Sequence, residues 1–410
     1  MSTLFDDLKW RGIIQDISSP DLEEKLNKGS LTFYIGTDPT ADSLHIGHYS
    51  SFIITKRLAQ YGHHPIILVG GATALIGDPR GTTERNLSQK DVVAKNFEAL
   101  KSQVQRIFPY PVVNNYDWIK NITLIDFLRD VGKNISVGYM LGKDLIRRQL
   151  EGGGISYAEF SYTLLQGYDF KYLHENMGVD MQVAGSDQWG NITTGIELIR
   201  KTSDDTVYAF TMPLVTDSKG NKFGKSEGNA VWLDREKTSP YEMYQFLLNS
   251  EDESVISYLK RLTLLSREEI EEIEKEHNQR PELRIAQKRL AREIITDLHG
   301  ENAFLEAEEI SKKLFNGDIK DLSVKDLRAG LKGVPSFDIE KGSLISTLVS
   351  TGIVQSKREA NEFLANGAIS VNGEVVKDGL MELNCNIAIN GEIIVIRRGK
   401  KKYYLCNIKG

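Results

Sequence analysis

The stretch LTFYIGTDPTADSLHIGHYSSFIITKRLAQYGHHPIILVGG, Leu31 to Gly71, decides the fold. Leu31 to Ile35 is an apolar run of strand length, and the following DPT turns the chain. Asp42 or Ser43 is placed to cap a helix from about Leu44 to Tyr61, which Gly62 ends. Pro65 to Gly71 then reads as a second strand. Strand, helix, strand in this order predicts a parallel sheet that can bind a nucleotide at the carboxyl ends of its strands. MQVAGSDQWGNITTGIELIRK repeats the pattern, with a strand over Met181 to Ala184 and a helix opened by Asp187 to Asn191. The predicted class is therefore α/β, with a Rossmann-like parallel-sheet domain over 1–225. LIDFLRDVGKN and LGKDLIRRQLEGG, both helix-like, place an insertion at about 86–159, of a kind that often carries subunit contacts.

After Ser239 and Pro240 the pattern changes to long charged helices, SREEIEEIEKEH and LRIAQKRLAREIITDLHG, predicting an α-helical domain over 226–321. Glycine and proline in RAGLKGVPSFDIEKGS mark a linker at 322–341. A compact α+β unit follows over 342–410, with two short helices and then strands in AISVNGEVV and EIIVIRRGKKKYYLCNI. That last unit holds nine basic and six acidic residues, so its net +3 leaves −9 on the rest of a chain whose total is −6. A basic module on an acidic body points to a polyanion partner. No apolar run reaches the ~18 residues that a bilayer span needs, so no membrane contact is expected. The opening MSTLFDDLKWRG carries early acids and lacks a basic-then-apolar leader, and a cytoplasmic location is the expectation. Two cysteines, Cys385 and Cys406, without a CxxC pair argue against a disulfide framework or a zinc site.

His45 and His48 lie three residues apart around Gly47, which puts both imidazoles on one face at a helix start. Such a place suits ATP: a base can lie against the bare glycine, and the helix end with two imidazole donors favours phosphate. Two surface histidines in a first helical turn fit the same spacing, and zinc fits less well because the HExxH glutamate is missing. GNKFGKSEGN, Gly220 to Asn229, sets Lys222, Lys225 and Ser226 among three glycines, a loop able to close on a triphosphate or simply a solvated turn. Tyr162, Gln166 and Asp169 fall at i, i+4 and i+7 on one helical stripe, where a buried amide and carboxylate require a polar partner.

HIGH at 45–48 together with KFGKS at 222–226 resembles the paired signatures of class I aminoacyl-tRNA synthetases. YIGTDPTADSLHIGH, LVGGATALIGDP, FSYTLLQGYDF, GSDQWGNI and KTSPYEMYQF are similar to the bacterial tyrosyl branch, and the likeness spans nearly the whole chain. The resemblance implies a ligase that activates tyrosine with ATP and charges tRNA(Tyr). By it, Asp169 and Tyr34 hold the substrate phenol, Tyr162, Gln166 and Asp78 its ammonium group, and Gln188 its carboxylate. Gly36, Asp38, Gly47, His48, Ser51, Gly185 and Asp187 approach the ATP ribose and base, and Thr40 and His45 the γ-phosphate. Lys222, Lys225 and Ser226 complete the catalytic set. Magnesium arrives with ATP, and neither a prosthetic group nor a resident metal is implied. The 226–321 domain lies on the anticodon side, and 342–410 is an S4-like RNA-binding domain using Lys357, Arg358, Arg397, Arg398, Lys400, Lys401 and Lys402. A homodimer is implied as well.

Three departures from the family pattern stand out. Ile35 replaces a cysteine and Ser51 a threonine found in many relatives. The loop DPRGTTERN has Thr82 and Thr83 where relatives often place a pyrophosphate-side lysine, for which Arg80 or Arg85 could substitute.

Overall fold

A computed structural model describes residues 3–78, 89–152, 154–226, 229–399 and 402–408. The side chains of Leu145, Lys225, Ser226, Asn229 and Phe315 also lie outside the description. The chain divides into two compact units, Met1–Lys237 with Ser250–Ile294, and Thr238–Asn249 with Ile295–Gly410.

The first unit is built on a five-stranded sheet of β1 (Thr32–Thr37), β2 (His64–Val69), β3 (Val112–Asn114), β4 (Met181–Gly185) and β5 (Tyr208–Met212), ordered β3-β2-β1-β4-β5 with every pair parallel. β2 and β5 are buried almost end to end, as expected for strands covered on both faces. The main helices are α1 (Ile46–Gln60), α2 (Lys90–Ile107), α3 (Tyr157–Met177), α4 (Trp189–Ser203) and α5 (Asp252–Leu262). Both strand-helix-strand units read from the sequence are present, β1-α1-β2 and β4-α4-β5.

Three expectations need correction. The cap of α1 is neither Asp42 nor Ser43 but His45, whose extended backbone (φ −117°, ψ 170°) precedes the first turn and whose Nδ1 accepts the Gly47 N–H. Asp42 instead pairs with Lys237, and Ser43 is held by the Gln103 amide at 3.0 Å. The segment at 86–159 is not wholly an insertion, because α2 and β3 extend the sheet to its edge. β3 is three residues long, too short for periodicity to reveal. Finally, the stretch expected as a linker at 322–341 holds a helix, Val324–Gly330, and a strand, Ser336–Ile339. The 225/226 boundary falls inside a small hairpin in which Lys225–Ser226 pairs with Asn229–Ala230.

The second unit contains helices Pro240–Leu248, Glu301–Asn316 and Val324–Gly330 and a mixed sheet. In that sheet Ile393–Arg398 and Lys402–Ile408 form a hairpin, Ile369–Val371 pairs antiparallel with the first strand, and Ser336–Ile339 lies parallel to the second. Ile394, Ile396 and Cys406 pack with Leu344, Leu348 and Leu364, while Val395 and Leu405 pack on the other side with Leu314 and Leu327. No helix among the described residues is long and apolar enough to cross a membrane.

Candidate active site

Because the connections from β1 and β4 run to opposite sides of the sheet, a crevice opens between their carboxyl ends, where α/β sheets bind ligands. A cavity of about 250 Å³ lies there. Its walls include Tyr34, Gly36, Asp38, Thr40 and His48 from β1 and the turn into α1, with Asp78 beyond β2. α3 contributes Tyr162, Gln166 and Asp169 together, as their helical spacing requires, and Asp187 and Gln188 follow β4.

At the closed end, Asp169 is fully buried and accepts two hydrogen bonds, from Asn115 Nδ2 at 2.9 Å and Trp118 Nε1 at 2.8 Å. Burial pushes its carboxyl up to about 7, opposed by those two donors and reinforced by nearby Asp38. Tyr34 is 1% exposed, and its hydroxyl has no hydrogen-bond partner among the described residues. Burial, then the Asp169 charge, raises its pKa well above that of an ordinary phenol, so it stays a neutral donor. An unpaired buried hydroxyl costs ~1–3 kcal/mol. A ligand hydroxyl entering this end would offset that cost and offer Asp169 a proton.

Asp38 accepts from the Tyr162 hydroxyl at 3.1 Å and from Thr73 Oγ1 at 2.7 Å. Asn115 ties this pair to Asp169, since its Nδ2 also donates to Thr73 Oγ1 at 3.0 Å while its Oδ1 accepts from Ala72 N–H at 2.7 Å. Beside them, Asp78 accepts from Gln188 Nε2 at 3.0 Å and Asn191 Nδ2 at 3.3 Å. Asn191 Nδ2 also donates to Gln188 Oε1 at 2.9 Å, which fixes the amide orientation. With Asp38, Asp78, Asp169 and Asp187 on its walls, the cavity favours a cationic group.

The open end carries the two histidines. His45 Nδ1 accepts from Gly47 N–H at 3.1 Å, and His48 Nδ1 accepts from His45 N–H at 3.2 Å, a capping box made of imidazoles. Both imidazoles are thereby held at the start of α1, with His48 on the cavity wall. The rings lie 3.9 Å apart, and the edge of Trp232 meets His45 at 6.2 Å. A Cβ at Gly47 would come within 2.9 Å of the His45 ring, so only glycine permits this arrangement.

The KFGKS segment comes to the same helix end. Gly224 has φ +78°, and a Cβ there would lie 2.2 Å from Ile46 Cγ2. Ile46 N–H donates to Val231 O at 2.8 Å, and Val231 N–H to Gly224 O at 3.2 Å. Lys222 is exposed on this hairpin. The backbone of Lys225 and Ser226 is described but their side chains are not, and Arg80, Thr82, Thr83 and Arg85 lie outside the described residues.

The structure thus gathers Tyr34, Gly36, Asp38, Thr40, His48, Asp78, Tyr162, Gln166, Asp169, Asp187 and Gln188 around one cavity, with His45 capping α1, Gly47 and Ser51 within α1 and Gly185 ending β4. In the second unit Lys357, Arg358 and Lys402 are exposed and Arg397 is half-buried. Arg398 is committed to its own unit, donating to Ile353 O and lying over Phe363 at 5.7 Å. Lys400 and Lys401 lie outside the described residues. Sequence reasoning missed Thr73, Asn115, Trp118 and Gln182. The signal for Asn115 was its place just beyond a strand end, but that strand went unread.

A family model described as tRNA synthetases class I (W and Y) matches residues 26–316, and one described as Tyrosine--tRNA ligase SYY-like C-terminal domain matches 326–406. Among solved structures, a C-terminally truncated mitochondrial tyrosyl-tRNA synthetase from Aspergillus nidulans is 32% identical, with a TM-score of 0.70 over 77% of this chain and 95% of that one. The corresponding Coccidioides posadasii enzyme is 31% identical, with a TM-score of 0.66 over 75% and 92%. A tryptophanyl-tRNA synthetase from Encephalitozoon cuniculi shares the fold at 14% identity, with a TM-score of 0.54 over 80% and 90%.

Proposed function

The chain belongs to the tyrosyl-tRNA synthetase family of the class I tRNA synthetases, and from its activity as a tyrosine–tRNA ligase we propose how its residues divide the work. Its reactants are tyrosine, ATP and tRNA. The observation that carries the assignment of the pocket is the Tyr34 hydroxyl, buried without a partner among the described residues on the wall of the cavity that Asp169 also lines. The substrate phenol donates to Asp169 and accepts from Tyr34. Tyr162, Gln166 and Asp78 take the ammonium group, and Gln188 orients the carboxylate.

ATP lies across the open end, with its ribose and base against Gly36, Asp38, Gly47, His48, Ser51, Gly185 and Asp187, and its γ-phosphate near Thr40 and His45. Magnesium enters with ATP. One tyrosine carboxylate oxygen attacks the α-phosphorus, the bond from that phosphorus to the bridging oxygen breaks, and pyrophosphate leaves. The nucleophile is already ionised, so this step needs no general base. Charge accumulates on the pyrophosphate, where Lys222, Lys225 and Ser226 meet it together with the histidine donors. The terminal ribose hydroxyl of the tRNA then attacks the adenylate carbonyl, and AMP departs.

Pyrophosphate exchange into ATP, followed by tRNA charging, tests this reading. Exchange should depend on tyrosine and stay near background with phenylalanine or tryptophan, because a site built to bond a hydroxyl is left with unpaired buried groups without one. Tyrosyl-tRNA synthetases are themselves the standard example of that discrimination, at about 10⁵. Comparable exchange with phenylalanine would refute the Tyr34 and Asp169 assignment.

The Asp169 carboxyl also sets a pH dependence. Its folded pKa lies above the ordinary carboxylate value, so its contribution to stability is complete below about pH 4 and is lost as pH rises through about 7. Tyrosine binding has the opposite dependence, because the phenol donates to the ionised form. The tyrosine Kd, read by equilibrium dialysis, should rise severalfold between pH 8 and pH 6 while the empty enzyme becomes more heat-stable. A flat Kd across that interval would remove the carboxylate from phenol recognition.

Two partner surfaces complete the proposal. Leu124, Ile125 and Val137, between β3 and α3, and Tyr157, which opens α3, are each more than 60% exposed, apolar surface of the kind that a second copy covers. Sedimentation equilibrium of the full chain should give a dimer, and a monomer at micromolar concentration would refute it. Residues 342–410 take tRNA phosphates through Lys357, Arg358, Arg397 and Lys402, with Lys400 and Lys401 adjoining, so charging should weaken with salt more than tyrosine exchange does. Equal salt dependence would refute this.

A further inference from the structure

HIGH and KFGKS are almost 180 residues apart in sequence, yet both are attached to one element, α5. At its C-terminal end and in the residues just beyond it, two arginines donate to backbone carbonyls. Arg57, on the HIGH helix and 2% exposed, donates to Thr263 O. Arg11 donates to Lys260 O at 3.1 Å and Leu265 O at 2.7 Å. Asp7 joins the two cations, 2.7 Å from Arg11 Nε and 3.7 Å from Arg57 Nη1. This end of α5 is therefore fixed to α1 by buried, charge-assisted bonds.

One turn earlier, Tyr258 faces the other signature. It is 4% exposed, its hydroxyl donates to Thr216 O at 3.0 Å, and its ring lies 4.6 Å from that of Phe223 in KFGKS. Thr216 pairs across the hairpin with Lys222, and Phe223 N–H donates to Val215 O at 2.9 Å. At the N-terminal end of α5, the Glu251 carboxylate accepts from Ser218 N–H at 3.0 Å on the same hairpin. One eleven-residue helix thus grips the stem of the lysine loop and is anchored to the histidine helix.

We propose that Tyr258 is a positioning residue for adenylate formation: through Thr216 and Phe223 it sets where the KFGKS stem stands relative to the HIGH helix. It touches no substrate. The inference rests on the reading of KFGKS as a pyrophosphate-side loop. A transition state that needs donors from both signatures responds steeply to their separation, since a 1 Å misplacement caused far from the chemistry can cost up to ~100-fold. Tyrosine, bound at the other end of the cavity, would not sense the change.

The test uses the full chain with Tyr258→Phe, which keeps the ring and loses the bond to Thr216, and Tyr258→Leu, which loses both. Lys222→Ala serves as reference. The rate of adenylate formation at saturating tyrosine and ATP is measured by stopped-flow fluorescence, and tyrosine affinity by equilibrium dialysis. We expect Tyr258→Phe to slow adenylate formation by roughly tenfold and Tyr258→Leu by more, within the cost of a small misplacement, with the tyrosine Kd unchanged within about twofold. A purely structural role would lower Tm without moving the rate measured well below Tm, and that result in Tyr258→Phe overturns the inference even if Tyr258→Leu fails to fold. An unaffected Lys222→Ala enzyme would instead overturn the reading of the loop. A slow Lys222→Ala enzyme beside a wild-type rate in Tyr258→Phe would overturn the positioning role alone.

Discussion

Asp169→Asn is expected to lower kcat/KM for tyrosine in pyrophosphate exchange by about 10³-fold while leaving the protein folded. Asp169 meets three donors: the indole of Trp118, the amide of Asn115 and, in the proposed complex, the substrate phenol. A carboxylate accepts from all three, whereas an asparagine has one oxygen and turns its NH₂ toward at least one of them. The substrate phenol left unmatched costs ~1–3 kcal/mol, and its charge-assisted bond is lost as well. Together these reach about 4 kcal/mol, which at 1.4 kcal/mol per decade is about 10³-fold. The folding control is favourable, because a buried carboxyl raised to about 7 destabilises the empty protein when ionised, and the neutral amide avoids that penalty. Thermal denaturation at pH 8 should find the variant close to wild type. Near-wild-type exchange in such a folded variant would mean that the substrate hydroxyl is read elsewhere.

His48→Ala is expected to slow adenylate formation by about 10²–10³-fold, the range for losing one donor aimed at developing charge, with tyrosine binding retained. The ring lies on the cavity wall and serves the backbone through Nδ1, and in the proposed complex the same side chain approaches ATP. Alanine removes both functions, so a stability loss of ~1 kcal/mol from the missing cap accompanies the kinetic effect. His48→Gln separates the two, because glutamine at the third helical position restores the capping-box acceptor. Stability should then recover while the rate stays low, as read by denaturant melts beside single-turnover adenylate formation. Full recovery of rate in His48→Gln would reduce His48 to a cap.

Several parts of this molecule could be read without its coordinates because they are written in adjacent residues. β1, α1 and β2 follow from apolar runs and a terminating glycine, and Tyr162, Gln166 and Asp169 share a face because helical spacing makes them neighbours. The error at the start of α1 is also instructive. Asp42 and Ser43 are the usual capping types, but Lys237 and Gln103 occupy them, and these partners lie 195 and 60 residues away. The strand Ser336–Ile339 was hidden for a related reason: it forms only by lying beside Lys402–Ile408, so its own four residues carry little signal.

By itself, then, the sequence determined the strand-helix-strand framework, the basic terminal module and the shared face of Tyr162, Gln166 and Asp169, since each depends on local periodicity or residue type, while the other cavity side chains were named through the family resemblance. Only the tertiary structure decided what those side chains do to one another. Asp169 is raised by the burial that β3 and α3 impose and is held by Asn115 and Trp118, Tyr34 is left without a partner among the described residues, and α5 ties the two signatures together. Desolvation and hydrogen-bond satisfaction depend on everything packed around a group, and that surrounding is assembled from segments far apart along the chain.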